Sequence, residues 1–308
     1  MAAAAQSTCY FQPPGEGGQV MAVPGTPSRP FPMLLSAGEL AQQLAEVVVV
    51  DCRFDLMNPD AGRAAYDRGH VPGAWYAHLD RDLAGPRTPE SGRHPLPDAD
   101  ALRALFTRFG ITRASRVVAY DDGHGAIAAR LWWLLRWMGH EAVALLDGGF
   151  AAWQRAGLPV STDPPANASG EVFQGEPGHM PVRDAGQVEA ALDRGSIRLI
   201  DVRAEDRFLG RSEPIDPRAG HVPGALNLPF AGNLAEGQLF AEREELERRY
   251  APLVEGHAPG DIVFMCGSGV TACHGIFALE RAGVAGAALY PGSWSEWIRS
   301  PSRPVARE

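Results

Sequence analysis

The chain repeats itself, and the repeat limits what it can fold into. Arg68-Gly69-His70-Val71-Pro72-Gly73-Ala74 returns as Ala219-Gly220-His221-Val222-Pro223-Gly224-Ala225, an offset of about 151 residues. VVVVDCR, ending at Arg53, matches RLIDVR, ending at Arg203. RVVAYDDG, from Arg116, matches DIVFMCGS, from Asp261. LLDGGFAAW, ending at Trp153, matches LYPGSWSEW, ending at Trp297. The matches keep the same order in both halves. A unit this long is a duplicated domain, larger than the unit of a solenoid. Residues 33–160 and 183–308 are the expected copies. Residues 161–182, overlapping the Pro- and Gly-rich stretch from Leu158 to Pro181, are the expected linker.

Residues 1–32 read as a disordered tail, rich in Ala, Gly and Pro and without hydrophobic period. They lack the basic start and apolar centre of a secretory signal. With Arg29 as their first arginine, they also lack the Arg-rich character of a mitochondrial presequence. Cys9 falls in this tail. The other cysteines are Cys52, Cys266 and Cys273, and four in 308 residues do not make a disulfide framework. A reducing, cytoplasmic location is expected. Net charge is -9, which argues against a nucleic-acid or polybasic membrane role. No apolar run approaches the roughly 18–20 residues that span a bilayer.

Each half alternates short apolar runs with helix-like runs. In the second half RLIDV, DIVFM and AALYPG read as strands. AEREELERRY, GVTACHGIFALERAG and SWSEWIR read as helices, the second closed by Gly283. Strands alternating with helices predict βαβ units, so the fold class is α/β, each copy a parallel sheet flanked by helices. Ligand sites in such sheets lie at the carboxyl ends of strands. The segment after DIVFM is therefore the first candidate for chemistry.

That segment reads Met265-Cys266-Gly267-Ser268-Gly269-Val270-Thr271-Ala272. The cysteine lies where a buried strand ends and a helix begins. Two glycines let the loop curl and turn backbone N–H groups inward, and the helix N-terminus adds its own. Such surroundings favour a thiolate and accommodate an anion. Aligning RVVAYDD on DIVFMCG puts Asp121 opposite Cys266. A carboxylate cannot act as a thiol nucleophile or accept sulfur, so only the second half is expected to be catalytic. His70 and His221 belong to the motif kept by both halves and read as structural. Cys273 and His274 fall inside the following helix. Cys273 is expected to be buried and His274 to lie on the helix surface.

The duplicated GHVPGA, the loop CGSGVTA and the late YPGSWSEW resemble the tandem-domain rhodanese family of sulfurtransferases, over nearly everything from Met33 to Val305. The resemblance implies two rhodanese-like domains, the first inactive with Asp121 in the nucleophile position. It implies a persulfide on Cys266, held by backbone N–H groups from Gly267, Ser268, Gly269, Val270 and Thr271. It also implies a small-molecule sulfur donor, an acceptor that is cyanide or a thiol (a small thiol or a thioredoxin-like protein), and no metal or organic cofactor. Loops of the form Cys-Gly-Ser/Thr-Gly-Val-Thr resemble 3-mercaptopyruvate sulfurtransferases, whereas thiosulfate-preferring loops carry Arg and Lys at the second and third positions. Here those positions are Gly267 and Ser268. Arg207 in DRFLG matches the arginine that holds the donor carboxylate. A second arginine is usual where this chain has Asp216, in Ser212-Glu213-Pro214-Ile215-Asp216-Pro217-Arg218, so either Arg218 bends in, Arg211 substitutes, or the second clamp is missing. The mercaptopyruvate branch also implies a serine-protease-like triad of Asp80, His94 and Ser268.

Two other readings compete. A cysteine phosphatase or arsenate reductase uses a longer loop ending in Arg, but the residue six after Cys266 is Ala272 and the loop holds no Arg or Lys. A non-catalytic sulfur-carrier module would keep the cysteine without turning over a small donor.

Overall fold

The computed structural model describes residues 31–166 and 170–308. The expected tail up to Pro30, with Cys9, lies outside them. The first half runs β1 (Leu34–Leu35), α1 (Ala37–Gln42), β2 (Val47–Asp51), α2 (Ala61–Arg68), β3 (Trp75–Tyr76), α3 (Ala99–Arg108), β4 (Arg116–Tyr120), α4 (Ala128–Trp137), β5 (Val143–Leu146) and α5 (Gly149–Arg155). The second runs α6 (Ala185–Asp193), β6 (Arg198–Asp201), α7 (Glu205–Phe208), β7 (Leu226–Asn227), α8 (Arg243–Val254), β8 (Ile262–Met265), α9 (Thr271–Arg281), β9 (Ala288–Leu289) and α10 (Ser293–Trp297). The sheets are ordered β1-β5-β4-β2-β3 and β7-β6-β8-β9, and every strand pair in them is parallel. Val182 bridges Leu289 in parallel, a one-residue counterpart of β1 beside β5.

The local causes are ordinary. β-branched Val48, Val49 and Val50 suit a strand covered on both faces. Ser36 with Glu39 and Asp184 with Gln187 form reciprocal caps that start α1 and α6. The charged run expected from Ala241 becomes helical two residues later, at Arg243. AALYPG supplies only Ala288 and Leu289 as strand.

The repeated motifs meet in space. At the end of β2, Arg53 pairs with Asp51 at 2.6 Å and donates to the Gly69 carbonyl at 2.7 Å, while its guanidinium stacks 4.2 Å from the Phe150 ring centre. At the end of β6, Arg203 pairs with Asp201 at 2.6 Å, donates to the Gly220 carbonyl at 2.8 Å, and stacks 4.7 Å from the Trp294 ring. One buried ion pair in each half thus joins a strand end, the GHVPGA turn and the last helix. The repeated histidines brace the same turn. His70 stacks on Tyr66 and His221 on Phe208, and each exchanges backbone hydrogen bonds with a later segment, at Ser161 and Ala306.

The halves share one apolar core. α4 from Ala128 to Leu135 and α9 from Ala272 to Leu279 are buried on every side, the mark of a helix inside a core rather than on a surface. Trp132 meets Phe277 edge-on at 5.1 Å, and Arg136 pairs with Glu280 at 3.4 Å. Truncating an aromatic in such a contact costs about 3–5 kcal/mol. The segment expected as a linker is mostly exposed where it is described, and it is pinned to the core at a few points. Phe173 is buried edge-on against Phe106, and Pro181 accepts the Leu289 N–H at 3.0 Å. His274, expected on a helix surface, is fully buried. The reason is that α9 has core on both sides, so His274 stacks on Phe240 at 4.7 Å. Among the described residues, no helix is long and apolar enough to cross a membrane.

The shared frame carries a testable cost. Arg53→Ala leaves Asp51 buried without its partner and is expected to destabilise the fold by about 3–5 kcal/mol. Urea unfolding measures this, and an unshifted midpoint would contradict it.

Candidate active site

Cys266 follows β8 directly and is 2% exposed. Its sulfur accepts the Gly269 N–H at 3.1 Å. The curl that brings this N–H inward needs glycine: Gly269 has φ +76°, and a Cβ there would stand 2.3 Å from the Pro291 carbonyl oxygen. The loop is clamped from α10. Trp294 and Ser295 donate backbone N–H bonds to the Cys266 and Gly267 carbonyls at 3.0 and 2.9 Å. Ser293 Oγ accepts the Cys266 N–H at 3.0 Å and donates to the Tyr290 carbonyl at 2.9 Å. Ser293 has φ 54°, the value found at Gly149 in the first half. The backbone therefore demands a left-handed residue at both places, and the second half accepts the strain of a serine there.

The first half shows what such a loop holds. Phe150 and Ala151 clamp the Asp121 and Asp122 carbonyls as Trp294 and Ser295 clamp Cys266 and Gly267. Asp121 takes the place of the cysteine. Its carboxylate accepts N–H bonds from Gly123, Gly125, Ile127 and Ala128 at 2.9–3.2 Å. The anion nest of the first loop is filled by the chain's own side chain.

Ser268, His94 and Asp80 come together at the second loop. His94 Nδ1 lies 2.7 Å from Ser268 Oγ, and Nε2 lies 3.0 Å from Asp80 Oδ1. The ring faces the opposite way from a serine protease histidine, whose Nε2 meets the serine. Burial, with Arg93 and Arg130 adding to it, pushes the His94 pKa down to about 3 against the pull of Asp80. The neutral ring then donates Nε2–H to Asp80 and accepts the Ser268 hydroxyl proton at Nδ1.

Arg207 donates from Nε and Nη2 to Glu213 at 2.8–3.2 Å and lies 3.3 Å from Asp216. Glu213 also reaches Arg203 at 3.4 Å, which links this cluster to the buried pair at β6. Arg211 points to Glu308 and Asp206 at the surface. Arg218 makes no side-chain hydrogen bond or ion pair among the described residues, and its carbonyl accepts the Trp294 indole N–H at 2.8 Å. Neither is among the side chains nearest to Gly267. Arg93 is: it pairs with Asp216 at 2.6 Å, and its Nη2 lies 3.2 Å from where a Gly267 Cβ would be. The positive charge absent from the loop at Gly267 and Ser268 is thus supplied by side chains outside it, balanced by Glu213 and Asp216. A cleft of about 250 Å³ opens beside Arg93, Asp216 and Ser295. A larger one, about 810 Å³, runs along β3; neither is lined by residues 266–271, so volume does not select the site.

Several of these residues escape a motif reading. Arg130 is fully buried in α4 and donates to the carbonyls of Leu83, His94, Pro95 and Gly269, tying the triad loops to the cysteine loop. A charge near the start of the otherwise apolar run AARLWWLL is its signal. Comparing LLDGGF with LYPGSW would have singled out Ser293. Cys273 is buried as expected, with its thiol donating to the Gly269 carbonyl at 3.3 Å, and burial pushes its pKa up to about 12. No group of three or more metal-ligating side chains gathers among the described residues.

Burial also pushes His274 down to about 4. The unfolded chain binds these histidine protons near the ordinary pKa of 6.5, and the folded chain binds them only near 4 and 3. Stability contributed by neutral His94 and His274 is full above 6.5 and falls as pH drops from there. NMR titration is expected to show both rings neutral at pH 5. Midpoints near 6.5 would contradict their burial.

The rhodanese-like domain family matches residues 36–156 and 184–300. A "Probable 3-mercaptopyruvate sulfurtransferase" of Pseudomonas aeruginosa is 47% identical over 277 residues, 89% of this chain and 97% of that one. The thiosulfate sulfurtransferase of Bos taurus is 34% identical over 262 residues, 82% of this chain and 86% of that one. The solved 3-mercaptopyruvate sulfurtransferase of Leishmania major superposes with TM-score 0.78 at 31% identity, covering 88% of this chain and 75% of that one.

Proposed function

Because this chain belongs to the rhodanese family, we propose that it is a sulfurtransferase that moves sulfane sulfur from 3-mercaptopyruvate to a thiol acceptor through a persulfide on Cys266. The observation that carries the reading is the Cys266 sulfur in a curled loop at a strand end, receiving the Gly269 N–H, with the His94–Ser268 pair beside it. Residues 33–160 are the non-catalytic domain in this reading, 161–182 the connection and 183–308 the catalytic domain.

The Cys266 thiolate attacks the donor sulfur. The S–S bond forms as the carbon–sulfur bond breaks, and its electron pair passes into the enolate of pyruvate, which a proton then quenches. Arg207 holds the donor carboxylate. Ser268, whose hydroxyl proton rests on His94 Nδ1 in the free site, turns that O–H to the ketone oxygen where negative charge develops, with Asp80 holding the His94 ring in place. The persulfide rests on the N–H groups of the loop from Gly267 to Thr271. An acceptor thiolate then takes the outer sulfur and Cys266 leaves as thiolate. A small thiol or a thioredoxin-like protein in the cytoplasm fits as acceptor.

The donor follows from charge. Arg93 and Arg207 are matched by Glu213 and Asp216, so the site has little net positive charge for a dianion. One carboxylate set away from its sulfur is the better fit. Thiosulfate is the alternative donor, through the same intermediate.

Cys266→Ser is expected to abolish transfer and the roughly 32 Da mass gain of persulfidation, with the fold kept. Loss of the mass gain in Cys273→Ser instead would reassign the nucleophile. Arg207→Ala is expected to cost about 1.5–3 kcal/mol in kcat/KM for 3-mercaptopyruvate, and an unchanged value would remove its carboxylate role. Specificity constants measured side by side decide the donor, and a higher value for thiosulfate overturns the preference.

A further inference from the structure

Two guanidinium groups from opposite halves of the chain converge on Gly267, the residue after Cys266. From the position of a Gly267 Cβ, Arg93 Nη2 is 3.2 Å away, and Arg207 Nη2 and Nη1 are 3.5 and 3.7 Å away. The two arginines are engaged differently. Arg207 commits its Nε–Nη2 edge to Glu213 and leaves Nη1 without a hydrogen bond among the described residues. Arg93 gives only Nη1, to Asp216. Its Nη2 donates no hydrogen bond among the described residues, and its Nε is buried without a partner. Arg93 Nη2 and Arg207 Nη1 are therefore unpaired yet open to solvent beside the loop, where one planar anion can accept from both.

Arg93 is also held at this spot from both sides. Its backbone N–H donates to Ser295 Oγ at 2.9 Å, on the helix that clamps the cysteine loop. Asp216, buried, grips Nη1 and lies 3.3 Å from Arg207. Asp216 therefore joins the two arginines while leaving one N–H-bearing nitrogen of each turned to the loop.

We propose that Arg93 is a specificity-determining residue for the donor: its Nη2 and Arg207 Nη1 together receive the donor carboxylate, as a clamp built across the two halves. This rests on the sulfurtransferase reading and names a residue of its donor site. An arginine from residues 211–218 is then unnecessary, which fits Arg211 pairing with Asp206 and Glu308 at the surface. Asp216 acts as a positioning residue that fixes Arg93 and limits the net charge.

The test compares two donors on the full chain, 3-mercaptopyruvate and 1-mercaptopropan-2-one, which keeps the ketone and thiol but lacks the carboxylate. Arg93→Ala is expected to lower the ratio of their specificity constants roughly 10- to 100-fold in favour of the carboxylate-free donor, mainly through KM for 3-mercaptopyruvate. Arg93→Gln, which keeps the bulk of the side chain, is expected to do the same. Adding Asp216→Arg to Arg93→Ala is expected to recover part of the ratio, because it places a guanidinium at the same point. An unchanged ratio in both Arg93 variants, or an equal loss with both donors, overturns the clamp. Absence of sulfur transfer from 3-mercaptopyruvate by the unmodified protein overturns the sulfurtransferase reading itself, and the clamp with it.

Discussion

Everything in this structure hangs on a buried aspartate–arginine pair at the end of a central strand. Asp51 and Arg53 in the first half, Asp201 and Arg203 in the second, are almost wholly removed from solvent. An ion pair so buried must satisfy its remaining donors, and it does so with the Gly69 or Gly220 carbonyl and an aromatic face from the last helix. Those partners come from motifs far apart in each repeat. The pair thereby fixes the turn, the strand end and the helix that clamps the following loop.

From that common frame the halves diverge by small substitutions. Asp121 fills its own ring of backbone N–H groups, whereas at the corresponding place the Cys266 sulfur accepts the Gly269 N–H. Ser293 replaces Gly149 at the same left-handed backbone position and gains a hydroxyl for the Cys266 N–H. The frame extends differently too. Arg203 reaches Glu213, Glu213 holds Arg207, and Asp216 passes the series on to Arg93 across the halves. Alternating charges of this kind hold one another in place, so the proposed donor site is organised before anything binds.

The first half is more than a passive wall. It supplies Asp80, His94 and Arg93 to the site and, through Arg130, binds the cysteine loop to the loops that carry them. That arrangement is possible because α4 and α9 bury each other between the sheets. Sliding one half against the other would expose Trp132 and Phe277 and strand the Arg130 guanidinium away from its carbonyls.

Much of this was legible from the amino-acid sequence. The duplication, the alternation of strand and helix, the position of Cys266 after β8 and of Asp121 after β4 all follow from local patterns, because apolar period, glycine and covalent adjacency act over a few residues. The failures are equally physical. His274 looked like a surface residue because its helix was read alone, without the second core that covers it. Arg93 and Arg130 act on residues more than a hundred positions away, and contacts at that separation leave no period in a single sequence. The sequence by itself determined the two α/β frames and which of them carries the cysteine. Only the packing of one half on the other decided which charges surround it, because that depends on the shape of two finished cores meeting.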